Sequence, residues 1–434
     1  MSASATGALG LLALFILLAL RIPVAFAMFV VGFFGIWALN GLNGATSLLA
    51  SEAFTLGSSP ELVVIPLFIL MGNVASITGM SRQLYDAAYA VIGSLRGGLA
   101  SATVIGCGGF AALSGSSVAS ALTMGKVALG QMDRFNYDPR LSTGVVAAGG
   151  TLGILIPPST GFVIYAILTE QSIGRLFLAG VLPGLLLLSL FVLAVTILCY
   201  LRPAFGPAGP RTTLNEKLRA IGGAGPIVAI ILLTIGGIYG GLFSPVEAAA
   251  VGAGAVILIG FATRTLSPAA LWSAARSSIV TTATVMLILI AAHMISPFMA
   301  LSHIPDAVGQ LLNSLNLGTT GVLLIILLIY LILGCFLEGF AMLVLTLPIF
   351  FPIVLEMGID PIWFGVLCVL ALEMGLISPP VGLNVFIVKS VAPGVSLGQI
   401  FSGVILFWLM MFLTLMILVA FPQIALFLPN TMIN

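Results

Sequence analysis

The sequence predicts an all-α polytopic membrane protein, built as an inverted repeat of about ten transmembrane helices with two re-entrant hairpins. Three observations lead there. Of 434 residues, 60% are hydrophobic and only 6% charged, with a mean hydropathy of +1.27. Apolar runs long enough to cross a bilayer, about 20 residues each, recur from end to end. And the second half of the chain repeats landmarks of the first.

Composition comes first. A soluble domain carries roughly 25% charged residues, so this chain could not cover itself in water. Its strands of apolar residues lack the period-two alternation of a β-barrel, which leaves helices. With 14 Lys+Arg against 13 Asp+Glu, the net charge of +1 gives no electrostatic reason to expect nucleic acid. Cys107, Cys199, Cys335 and Cys368 all lie in apolar segments, in no metal-like or CxxC spacing. The first run has no basic region before it and no small-residue cleavage site, so it reads as a retained helix.

Apolar spans are predicted at 7–20, 24–40, 61–77, 141–170, 176–201, 224–243, 246–262, 278–300, 362–390 and 400–427. The stretches 98–130 and 317–355 differ, because small or polar residues interrupt each midway: Ser114-Gly115-Ser116-Ser117 in one, Gly334 to Gly339 in the other. Each half is short for a crossing. Such segments are expected as re-entrant hairpins, whose exposed backbone needs protein or a water-filled cavity around it.

Basic residues give the orientation. The polar loop 202–222 holds Arg202, Arg211, Lys217 and Arg219 and is expected in the cytoplasm. Threading outward puts Arg21, Arg82, Arg96, Lys126, Arg134, Arg140, Arg264, Arg276 and Lys389 on the same side. Glu52, Glu61, Glu170, Asp306, Glu356 and Asp360 fall outside, with Arg175 the one basic exception. Both termini are then periplasmic, and the two hairpins open to opposite faces.

The repeat supports this. Asp138-Pro139, Gly153 and Pro157-Pro158 recur as Asp360-Pro361, Gly375 and Pro379-Pro380, all displaced by 222 residues. Gly106-Cys107 matches Gly334-Cys335 at 228. Each copy runs span, short amphipathic arm (82–95, then 305–315), hairpin, Pro-Pro helix, span. Inverted repeats with discontinuous helices are the architecture of secondary transporters, with the site near the midplane.

The chemistry is expected at the breaks. A proline removes a backbone donor and denies the carbonyl four residues earlier its helical bond. Pro157 and Pro158 are thus expected to free carbonyls at about Gly149 to Gly153, and Ser159 and Thr160 to open a new half-helix. Freed carbonyls suit a cation and half-helix N-termini suit a carboxylate. Ser378-Pro379-Pro380-Val381-Gly382-Leu383-Asn384 repeats the logic. The bland alternative for both is a plain proline kink. The first hairpin tip offers the hydroxyls of Ser114 and Ser116, or else a small-residue packing face. Glu338, in the second tip, is a candidate for a structural hydrogen bond, an ion contact or a gate, since intramembrane carboxylates are expensive. Glu373 is a candidate scaffold contact or transport residue. Glu247 reads as a helix cap, and His293 and His303 as lone histidines.

Gly153 to Ser159 with Ile164-Tyr165, the Gly-Ser-Ser tip, and Gly375 to Asn384 resemble the large membrane subunit of tripartite ATP-independent periplasmic (TRAP) transporters, over nearly the whole chain. The resemblance implies an elevator-type carrier of the ion-transporter superfamily in a bacterial or archaeal inner membrane. Its partners would be a small four-helix membrane subunit, expected here as a separate polypeptide, and a periplasmic substrate-binding protein. It would couple import of a small organic acid (a C4-dicarboxylate, sialic acid or another sugar acid) to Na+, with no organic cofactor. Scaffold helices would occupy 1–60 and 224–277, the first repeat 61–201, the cytoplasmic loop 202–223 and the second repeat 278–427. A first Na+ site would join Ser114 and Ser116 to Gly150, Gly153 and Pro158. A second would join Gly334 and Gly339 to Gly375, Ser378 and Gly382. Substrate would lie near Ser116, Pro158, Ser159, Thr160 and Asn384.

Two other readings compete. One is a Na+/carboxylate symporter of the same superfamily that works alone. The other is an intramembrane serine protease, because Ala112-Leu113-Ser114-Gly115 is one residue from a G-x-S-G motif; its base would have to be His293 or His303.

Overall fold

In the computed structural model, residues 2–210 and 212–432 are described, and every regular element among them is helical. Arg211, used above for orientation, lies outside the described residues, as do the terminal residues Met1, Ile433 and Asn434.

The chain begins with α1 (Ala3–Ala19) and α2 (Val24–Ser58), which runs beyond the expected 24–40 and breaks its helical geometry at Gly41, where φ is 78°. A 3-10 turn at Pro60–Val63 leads into α3 (Val64–Ile77). Then come α4 (Met80–Ile92), α5 (Gly98–Ser114), α6 (Ser117–Arg134), α7 (Pro139–Leu155), α8 (Thr160–Thr169) and α9 (Ile173–Leu201). Two helices follow, α10 (Leu214–Tyr239) and α11 (Pro245–Ala262). The order seen in α3 to α9 then returns as α12 (Pro268–Leu301), α13 (Ile304–Ser314), α14 (Gly318–Gly334), α15 (Gly339–Glu356), α16 (Pro361–Leu376), α17 (Leu383–Val391) and α18 (Leu397–Ala420), before α19 (Gln423–Thr431). Nine helical segments among the described residues are long and apolar enough to cross a membrane.

The matched landmarks have a local physical reason. Asp138 and Asp360 are N-caps: Asp138 accepts from the Arg140 N–H at 2.8 Å, and Asp360 from Ile362 and Trp363 at 2.8 and 3.0 Å. The proline after each takes the first helical position, where no N–H is needed. Thus the repeated Asp-Pro pair starts α7 and α16.

Two boundaries differ from expectation. The loop 202–223 ends early, because Thr213 and Glu216 form a reciprocal capping box that starts α10 at Leu214. The central stretch 224–277 likewise gives way early to α12, which Ser267 caps and Pro268 opens, well before the expected start at 278. Both signals are local and polar, so a hydropathy reading of the apolar run passes over them.

The broken helices form the centre. In α7 every residue from Leu141 to Leu155 is buried, and in α16 every residue from Phe364 to Leu376. By contrast α1, α9 and α18 each leave large apolar side chains exposed, among them Phe15, Leu193 and Phe412, as a lipid-facing surface requires. Between helices in lipid the hydrophobic effect gives little attraction, and close approach at small residues takes over. At Gly144 an added Cβ would lie 2.5 Å from the Gly403 carbonyl, so α7 and α18 touch backbone to backbone.

Polar connections gather at two ends. At one, the Tyr137 hydroxyl accepts from the Leu99 N–H (3.2 Å) and donates to the Pro207 carbonyl (2.9 Å), while Gly97 N–H donates to Gly206. Arg96, Arg140 and Arg202 belong to this end by sequence. At the other, Arg175 reaches Asn430 (3.5 Å) and Tyr239 reaches Thr431 (3.3 Å).

Candidate functional site

Each broken helix meets its hairpin at a glycine. In the first half α5 ends at Gly115, in the left-handed region at φ 58°, and Ser116 caps α6 by accepting from the Ala119 N–H at 3.3 Å. A Cβ on Gly153 would lie 2.5 Å from the Ser116 carbonyl oxygen, and one on Gly115 would lie 2.7 Å from the Pro158 carbonyl oxygen. The Thr160 hydroxyl donates to the Gly115 carbonyl at 2.8 Å. The structure thus brings Ser116, Gly153, Pro158 and Thr160 around Gly115, with Ser114 the last residue of α5 before it. Gly150 belongs to the same seam, with a built Cβ 2.8 Å from Ala121 and 3.0 Å from the Ser117 carbonyl.

The freed carbonyls sit later than expected. Ile156 N–H still donates to Leu152 at 2.9 Å, so the helical ladder is intact through the Gly149–Leu152 stretch. The carbonyls that face donorless nitrogens four residues on are Gly153 and Ile154. A proline acts on the residue four before it, which fixes the count.

Ser116 and Ser159 use their hydroxyl oxygens as caps, Ser159 accepting from Phe162 N–H at 3.3 Å. Their own O–H protons remain to be given. Two half-helix N-termini, α6 and α8, thus each carry a hydroxyl donor, a combination suited to a carboxylate. Ser114 instead pairs with Ser120, Oγ to Oγ at 3.0 Å.

The second half repeats the apposition at the same closest distance. A Cβ on Gly375 would lie 2.5 Å from the Gly334 carbonyl carbon, and one on Gly339 would lie 2.8 Å from Leu372. Pro379 and Pro380 remove the donors that Gly375 and Leu376 would have met, and Ser378 N–H takes the Gly375 carbonyl at 3.0 Å. Ser378 Oγ donates to Met374 (2.6 Å) and accepts from Trp408 Nε1 (2.9 Å). Trp408 gave no signal in the sequence, since it lies on a different helix. Gly382 opens α17 at φ 62°, near the Ser378 carbonyl. Both Pro157-Pro158 and Pro379-Pro380 are cis.

Asn384 joins the halves. It is fully buried, its Nδ2 lies 3.5 Å from the Ala147 carbonyl on α7, and its Oδ1 has no partner. An orphaned buried amide oxygen in a native fold calls for a ligand or a mobile neighbour. The Tyr165 hydroxyl adds a second tie, donating to Pro361 at 2.6 Å. Glu338 caps α15, accepting from Ala341 N–H at 3.2 Å, and stands exposed at its tip. Glu373 is fully buried, and neither carboxylate oxygen has a hydrogen-bond partner.

The histidines are engaged elsewhere. His293 pairs with Glu52 at 2.9 Å and His303 with Asp306 at 2.8 Å. A proteolytic Ser114 finds no base in either of these pairings. A cavity of about 820 Å³ runs behind the first hairpin between α4, α5, α9 and α10, but Leu84, Ile105, Val181 and their neighbours make it apolar, unfit for an acid.

Comparisons with known proteins identify the family. The family described as "Tripartite ATP-independent periplasmic transporter, DctM component" matches residues 11–424. The C4-dicarboxylate TRAP transporter large permease protein DctM of Pseudomonas aeruginosa is 38% identical over 406 residues, spanning 90% of this chain and 93% of its own length. The isethionate TRAP transporter permease protein DctMQ of Oleidesulfovibrio alaskensis is 34% identical over 388 residues, spanning 88% of this chain and 60% of its own. Among solved structures, the Alcanivorax borkumensis YdaH transporter shares the fold, with a TM-score of 0.63 at 15% identity and 88% of each chain covered. The chain is a multi-pass membrane protein and belongs to the DctM component family of TRAP transporters.

Proposed function

We propose that this chain carries a small organic acid inward across a bacterial inner membrane, driven by Na+, as the large subunit of a tripartite transporter. The observation that supports it most is the paired apposition of hairpin and break, Ser116 against Gly153 and Gly334 against Gly375. Each break carries a carbonyl that a proline deprives of its helical donor, Gly153 in the first half and Leu376 in the second, which is what a desolvated monovalent cation needs. Between them, Ser116, Ser159 and Asn384 offer donors to a carboxylate without any Lys or Arg at the breaks. Substrate charge is then balanced by helix dipoles and by the ions themselves.

On this reading the first Na+ site uses Ser114, Ser116, Gly153 and Pro158, with Gly150 allowing the close approach. The second uses Gly334, Gly339, Gly375, Ser378 and Gly382. The hairpins and broken helices move together as an elevator against α1, α2, α3, α10, α11 and α12. The Arg-rich end is cytoplasmic by the excess of basic residues, so both termini face the periplasm. A small membrane subunit and a periplasmic binding protein complete the machine. A relative whose name joins both permease components, DctMQ, supports the first of these partnerships.

The test is uptake of radiolabelled succinate and sialic acid into vesicles. Import of at least one should require an inward Na+ gradient and the matching binding protein. Full activity with K+ in place of Na+, or dependence on ATP, would count against the proposal. A chain that transports alone, with no small subunit bound on purification, would favour the stand-alone symporter.

A further inference from the structure

We infer that a cleft at the Arg-rich end of the molecule holds an anionic glycerophospholipid, its phosphate between Arg140 and Arg202 and its acyl chains running down α9 and α18. This site goes beyond the transport reading and depends on neither Na+ nor the organic acid.

The cleft has a volume of about 350 Å³ and is walled by the start of α7, the end of α9, the turn that follows it and the first half of α18. Local contacts build it. Asp138 N–H donates to the Phe205 carbonyl at 3.0 Å, which pins the turn after α9 beside the start of α7. An added Cβ on Gly403 would collide with the Arg140 carbonyl, so α7 and α18 meet there with no side chain between them. Arg140 and Arg202 therefore line one cleft, though one opens α7 and the other follows α9. Arg202 also lies over the Phe205 ring, 5.9 Å from its centre.

An exposed arginine by itself is ordinary, since water satisfies it. This pair differs in what surrounds it. The ion pairs among the described residues are Arg82–Asp86, His293–Glu52 and His303–Asp306, so neither guanidinium is neutralised by one. The neighbouring Asp138 is occupied as a helix cap, taking the Arg140 N–H at 2.8 Å. Ser402, also at the mouth, gives its hydroxyl to the Gln399 carbonyl at 2.8 Å and leaves the donating to the arginines.

Below the arginines the lining turns apolar with depth. Leu198 lies one turn before Arg202 on α9, about 6 Å deeper, and Leu406 and Leu409 lie about 6 and 10 Å beyond Ser402 on α18. Ile405 is 58% exposed and Leu409 48%, so the slot opens sideways to lipid. A charged mouth above an apolar slot has the order of a phospholipid, and basic pockets between membrane helices bind such headgroups. A free phosphate would use the mouth and leave the slot empty. The bound lipid would bridge α7, α9 and α18 and steady the Asp138 end of the first broken helix.

Thermal unfolding of the purified full-length chain in detergent tests this, with dioleoyl phosphatidylglycerol or dioleoyl phosphatidylcholine added in rising amounts. The acyl chains are the same and the headgroup charge differs. A ligand that binds only the folded state raises the unfolding midpoint, and phosphatidylglycerol should do so at the lower concentration. Arg140→Gln and Arg202→Gln should each raise the phosphatidylglycerol needed about fivefold, and together about twentyfold. The response to phosphatidylcholine should not move. Arg219→Gln with Arg276→Gln removes two exposed charges from α10 and α12, outside the cleft, and should leave both responses as they were. Ser402→Glu keeps both arginines but sets a carboxylate in the mouth, and should erase the preference; it serves if the arginine variants do not fold. Equal responses to the two lipids in wild type overturn the inference, and so does an unchanged response in the double arginine variant. An equal loss in the α10 and α12 control traces the effect to general surface charge and overturns it too. Inorganic phosphate that stabilises as well as phosphatidylglycerol would give the site to a free anion, against the lipid.

Discussion

The Thr160 hydroxyl donates to the Gly115 carbonyl at 2.8 Å, fastening the start of α8 to the tip of the first hairpin. Thr160 N–H points at the same carbonyl from 3.3 Å. Replacing Thr160 by Val keeps the volume and leaves that carbonyl with the weaker partner. The expected cost is about 1–2 kcal/mol, read as a lower unfolding midpoint with a several-fold loss of uptake. Unchanged stability would mean that the bond is not made in the membrane.

Ser116→Ala and Asn384→Ala test the proposed acid-binding region. The first loses a helix cap, about 1 kcal/mol, and one hydroxyl donor. The second removes a buried amide whose Oδ1 has no partner within the protein. Both variants should insert normally and transport several-fold less. Normal uptake by both would mean that substrate lies elsewhere.

Gly375→Ala should be far worse than its size suggests. The added methyl would stand 2.5 Å from the Gly334 backbone, so hairpin and break must separate, at a cost on the order of 1–3 kcal/mol. Gly254→Ala, on α11 with nothing within 4 Å, is the control and should be neutral or slightly stabilising. Transport near wild type in Gly375→Ala would remove the close apposition from the mechanism.

Trp408→Phe removes the indole N–H that holds Ser378 Oγ at 2.9 Å while keeping an aromatic ring beside Phe412. The loss of one hydrogen bond, about 1 kcal/mol, should raise the Na+ concentration for half-maximal uptake about fivefold. An unaltered Na+ response would separate Ser378 from the second site.

Tyr137→Phe cuts the tie between the Pro207 carbonyl and the Leu99 N–H. Limited proteolysis within 202–213 should quicken severalfold. Burial pushes the Tyr137 hydroxyl up to about 12, so the group stays neutral through the physiological range. A raised folded value means stability held below the ordinary tyrosine range, about 10, and lost as pH climbs from there to about 12. Wild type should show that alkaline decline more steeply than the Phe variant.

Much of this was legible in the residues because the forces involved are local. A bilayer demands runs of apolar helix, prolines delete donors at fixed offsets, and Asp-Pro caps a helix wherever it stands. Hence the membrane class, the two breaks at Pro157-Pro158 and Pro379-Pro380, and both hairpins could be read along the chain. What only the tertiary structure decided depends on residues distant in sequence meeting in space. The Trp408 bond to Ser378 and the approach of Gly375 to Gly334 are set by how α14, α16 and α18 pack. Packing among small residues leaves no periodic trace in a sequence, since a glycine that admits a neighbouring backbone is spelled like one that meets nothing.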